Sequence, residues 1–157
     1  ALVLQQNPLQ TAVELAQAAE TDAKDVYGRQ ALAVRQVVRS GPPRHTGSRW
    51  QPVELETPFV EVVNALQNEF GNGNLSAKFA YELLAEAPAL SNVLAAHEAE
   101  IGRLLKRHGL KSPHDLAKKL ATAAQGELDQ ADGRSGLERL ADWALVARFL
   151  GQGGQKT

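Results

Sequence analysis

The sequence predicts an all-α protein: a single bundle of five to seven helices, with a long N-terminal helix or arm and a Pro-rich loop at about 41–56. Three observations predict it. Ala (25 residues) and Leu (22) dominate, Ile occurs once and aromatics are 5%, so helix formers abound and strand formers are scarce. Apolar residues recur at three- and four-residue steps along most of the chain. Cap residues and glycines punctuate those stretches where helix ends need them.

Asn7-Pro8 supplies a helix cap followed by proline at the first helical position, where its missing N–H does no harm. From there to Ser40 the stripe Leu9, Ala12, Ala16, Ala19, Ala23, Val26, Tyr27, Ala31, Val34 and Val38 keeps helical spacing, and Gly41-Pro42-Pro43 stops it. Gly28 weakens the middle by about 1 kcal/mol relative to alanine, so one long helix and two shorter ones both fit. Residues 1–40 are thus a helical arm. Residues 41–56 form a Pro-rich connection, in which Val53 and Leu55 fit a short edge strand beside Pro52.

The bundle is expected over 57–151. Thr57-Pro58 opens a helix with Phe59, Val62, Val63, Leu66 and Phe70 inward, closed by Gly71. Ser76 opens the next, with Phe79, Ala80, Leu83 and Leu84 inward, and Pro88 ends or kinks it. Ser91 caps a third, carrying Leu94, His97, Ile101, Leu104, Leu105 and His108 to a stop at Gly109. Ser112-Pro113-His114-Asp115 and Ser135-Gly136-Leu137-Glu138 have the spacing of capping boxes for the last two helices. Gly151 ends the last helix, and 152–157 read as a disordered tail.

Composition excludes several functions. No cysteine is present, which removes disulfides, zinc-thiolate sites, iron–sulfur clusters and thiol nucleophiles. Net charge is −1, so no global field draws the chain to nucleic acid or an anionic membrane. No apolar run approaches the roughly 18 residues of a membrane span, and no charged leader precedes a hydrophobic core. Cytoplasmic placement, no membrane partner and a GC-rich, bacterial-type genome are the resulting expectations.

Charge is uneven locally. Residues 58–102 hold one Lys and six Asp/Glu, whereas 103–122 hold six Lys/Arg and one Asp. Arg103, Lys106, Arg107, Lys111, Lys118 and Lys119 therefore form a candidate phosphate-binding ridge, on a helix–Gly turn–helix layout like a helix-turn-helix. The second helix lacks the Arg, Asn and Gln that make bidentate base contacts, which favours a solvated surface instead.

The histidines do not make a metal motif, and no cofactor is expected. His97 and His108 lie on an apolar stripe, as hydrogen-bonded core residues do; His114 is a helix-start residue. Arg44, His45, Arg49 and Trp50 form a small basic-aromatic cluster, read as a loop packed on the bundle by Trp50. Phe70–Ser76 is glycine-rich but lacks the Lys and preceding strand of a phosphate loop. Glu82 with Glu86, and Glu98 with Glu100, read as solvated pairs rather than acid–base machinery. No nucleophile elbow or dinucleotide fingerprint occurs, so a non-enzyme is expected.

The last helix, with Trp143, Leu145, Val146, Phe149 and Leu150, is apolar nearly all round. Such a helix is central to its bundle or carries an interface, for which Trp143, Val146, Phe149 and Leu150 are the candidates. The functional expectation is a non-catalytic interaction module binding another chain or a second copy of itself, through the long N-terminal helix or the C-terminal helix. Nucleic-acid binding through 103–119 is the alternative.

Overall fold

The computed structural model describes residues 8–37, 44–50, 59–90, 93–126 and 133–153. Along these run α1 (Leu9–Asp25), β1 (Ala31–Gln36), β2 (Arg44–Arg49), α2 (Phe59–Gly71), α3 (Lys78–Leu90), a 3-10 turn (Leu94–Ala96), α4 (His97–Arg107), α5 (His114–Gly126) and α6 (Gly136–Gly153). The mostly helical class stands. A two-stranded antiparallel sheet corrects the all-α expectation.

The correction falls on the N-terminal arm and the Pro-rich connection. α1 stops at Asp25, and Gly28 (φ 88°) and Arg29 (φ 56°) turn the chain back along the helix. Residues 31–36, expected to continue the helix, pair as β1 with β2, Ala31 opposite Arg49 and Gln36 opposite Arg44. Ala31, Ala33 and Arg35 face α1, where Arg35 binds the Asp22 carboxylate through two hydrogen bonds (2.8 and 2.9 Å). Gly47 lies under Tyr27, so close that a Cβ there would sit 2.5 Å from the ring. Leu32 and Val34 face the other way and pack against the bundle core. The sheet is sandwiched between α1 and the helices.

α6 is the centre of the bundle, packed against α2, α3, α5 and β2. Phe59 meets the Trp143 ring edge-on at 4.9 Å, and Leu66, Phe79, Leu83, Leu104, Leu120 and Leu140 complete a fully buried core. Ser76 caps α3 through its Oγ, which accepts from the Lys78 N–H (3.3 Å). The Ser135–Glu138 capping box forms in full: Oγ accepts from the Glu138 N–H (3.2 Å), and the Glu138 carboxylate accepts from the Ser135 N–H (2.8 Å).

Helix boundaries refine or depart from expectation at four places. Pro8 and Pro113 are the residues before α1 and α5, their carbonyls accepting from Ala12 and Ala117 (3.2 and 2.7 Å). α3 continues through Pro88 to Leu90. α6 runs past Gly151 into the expected tail, because Gly151 is a close-packing residue: a Cβ there would lie 3.0 Å from the Gln67 carbonyl and 3.1 Å from Phe70. Asn7, Gly41-Pro42-Pro43, Val53, Leu55, Thr57-Pro58 and Ser91, expected as caps, stops or a short strand, lie outside the described residues, as do 154–157.

Candidate functional site

A polar cavity of about 250 Å³ opens where β2 meets the bundle, lined by Arg44, His45, Leu84, Arg134, Glu138 and Asp142. Each polar group arrives for a local reason. Arg44 begins β2, and the alternation of the strand turns it toward α6. Arg134 immediately precedes the capping box that starts α6, and Asp142 lies one turn beyond Glu138 on that helix. Arg134 is hydrogen-bonded to the Asp142 carboxylate and also donates to the His45 carbonyl (3.4 Å). Arg44 stands 3.6 Å from the other carboxylate oxygen.

Burial raises the Asp142 pKa above the ordinary carboxylate value, against the opposing charges of Arg134, Arg44 and His45. Two guanidiniums face two carboxylates here, so the cavity selects neither anions nor cations by net charge. It ties a strand to a helix.

Three of the six cations of the basic ridge are paired with the acidic stretch that precedes it. Arg103 pairs with Glu100 and with Glu86 (3.2 Å), Arg107 with Glu82 (3.4 Å), and Lys119 with Glu61 (3.0 Å). The His108 N–H donates to Glu82 (2.7 Å), and this bond, with the Arg107 and Arg103 charges, holds the Glu82 pKa down. Lys106, Lys111 and Lys118 are exposed and have no ion-pair partner among the described residues. α4 and α5 pack together as an αα-hairpin.

The histidines on the apolar stripe sit as expected. His97 is buried, its Nε2–H donating to the Leu90 carbonyl (3.0 Å), and His108 lies against the Phe79 ring. His114, exposed at the α5 start, is 3.7 Å from Glu98. Trp50 does not anchor its segment: it is 54% exposed, and Arg44 makes the link to the bundle instead.

The C-terminal candidates divide. Trp143 and Val146 are buried in the chain's own core, because the sheet and three helices surround α6 there. Phe149 is half-buried, and Leu150 is exposed beside the point where Arg148 donates to the Tyr81 hydroxyl and stacks on its ring. A surface the sequence only hinted at is the start of α1. No described residue before Ala19 is buried, and Leu9 (81% exposed) and Val13 (47%) stand one turn apart on its outer face. Apolar spacing along the sequence marks Leu9 but not Val13, and among the described residues the sheet packs on the other face of α1.

No family model, curated relative or solved structure matches this chain. Among the described residues, no helix is long and apolar enough to cross a membrane.

Proposed function

We propose that the protein is a non-catalytic helical interaction module that pairs with a second copy of itself through the N-terminal half of α1. One observation carries this reading: Leu9 and Val13, large apolar residues at i and i+4, are uncovered on a helix whose inner face is already committed to the sheet. Exposed apolar side chains that line up along one helix are what a partner helix buries. The small side chains of Ala12 and Ala16 beside them let a second helix approach closely.

The electrostatics support the same reading against the nucleic-acid alternative. Arg103, Arg107 and Lys119 spend their charge on neighbouring glutamates, which leaves Lys106, Lys111 and Lys118 for phosphate contact. Three exposed lysines are a weak footprint. Sedimentation velocity of the wild type beside the Leu9→Asp/Val13→Asp variant tests the proposal. A concentration-dependent dimer that becomes a folded monomer in the variant is the expected result. A wild type that stays monomeric, or a variant that still dimerises, overturns it.

A further inference from the structure

The seam between the sheet and the bundle has the composition of an interface that opens. Strand alternation places Leu32, Val34 and Gln36 of β1, and Arg44, Thr46 and Ser48 of β2, on the bundle-facing side. Four of those six are polar, and Gln36, Thr46 and Ser48 are buried. The Thr46 hydroxyl has no hydrogen-bond partner among the described residues, a state that destabilises a closed interior. At the edge of the same seam the cleft lined by Arg44, His45 and Asp142 opens between β2 and α6.

On its other face the same sheet is firmly tied to α1. Arg35 grips Asp22 with two hydrogen bonds, and Tyr27 is buried against Gly47. The chain thus joins α1, β1 and β2 better to one another than to the bundle. Polar interfaces with few contacts are those across which parts of a chain move as units.

We propose that α1, β1 and β2 undock from the helical bundle as one piece, breaking at the polar seam around Asp142 while α2 to α6 stay folded. Opening returns Asp142, Arg44 and Arg134 to water, and so removes the desolvation that burial imposes on the carboxylate. It also uncovers the part of α6 now under β2. This motion is independent of whether the start of α1 binds a second copy.

Native-state hydrogen exchange on the whole chain in low urea tests it, with Thr46→Val and Arg44→Ala as variants. The amides of residues 18–25, 31–36 and 44–49 should share one protection level, at least about tenfold below that of α4 and α6. Thr46→Val, which removes the unpartnered hydroxyl at nearly constant shape, should raise that shared level by threefold or more and leave α4 and α6 unchanged. Arg44→Ala should lower it, again without moving α4 and α6. Sheet amides as protected as those of α6, α1 exchanging separately from the strands, or variants that shift every amide alike would each overturn the proposal.

Discussion

Gly136 abuts Ala124 so closely that a Cβ on the glycine would lie 1.6 Å from the alanine carbonyl oxygen. The first residue of α6 therefore has to be glycine for α5 to end where it does. Gly136→Ala should destabilise the protein by roughly 1–3 kcal/mol, the usual cost of overpacking. Gly102, inside α4, is the contrast: its Cβ would make an ordinary 3.5 Å contact with Ala117. Gly102→Ala should stabilise by about 0.5–1 kcal/mol through helix propensity alone. Urea unfolding of the two variants reads both signs, and equal effects would contradict the packing described.

Trp143 and Leu150 lie two turns apart on α6 with opposite surroundings, 1% and 37% exposed. Trp143→Ala should cost about 3–5 kcal/mol, as truncating a buried aromatic does. Leu150→Asp should leave the fold intact and change stability by about 0.5 kcal/mol. Thermal melts followed by circular dichroism check this. A well-folded Trp143→Ala protein would mean that α6 is not the core helix.

Asp142 and Glu82 should give stability profiles of opposite slope. Burial holds the folded pKa of Asp142 above its ordinary 3.8, so the stability it contributes is complete below that value and is lost as pH rises through the folded one. Glu82, held below its ordinary 4.5 by the His108 hydrogen bond, contributes stability above 4.5 that is lost as pH falls through its folded value. The stability of wild type relative to Asp142→Asn should thus decline with rising pH across the acid range. Relative to Glu82→Gln it should climb. Urea titrations at several pH values decide the two signs.

The stripes of α2 to α5 were legible because each of those helices has one buried face; α6, buried all round, was legible from its apolar run and from the Ser135–Glu138 box that marks its start. β1 was hidden because it is covered on both faces: Ala31, Ala33, Leu32 and Val34 are apolar on each side, and no alternation betrays the strand. β2, Arg-His-Thr-Gly-Ser-Arg, carries no apolar pattern at all and is held by tertiary context. The pairing of half the ridge was foreshadowed by the acidic stretch before it. The Arg44–Asp142 contact joins residues far apart in the chain, with no local signal on either.

With Lys106, Lys111 and Lys118 alone unpaired along the ridge among the described residues, the chain should show no measurable duplex DNA binding in fluorescence anisotropy, even at about 50 mM salt. Three phosphate contacts would give a log–log salt slope of only roughly −3. Micromolar binding that disappears when all three lysines become Glu would favour the nucleic-acid reading.

The self-association of α1 is tested most directly by dilution of isotope-labelled protein, followed by amide chemical shifts. Self-association through α1 predicts concentration-dependent shifts confined to residues 9–17, absent from Leu9→Asp/Val13→Asp. Shifts that do not move on dilution, or that move at Lys106–Lys118 or Phe149–Leu150 instead, would contradict it.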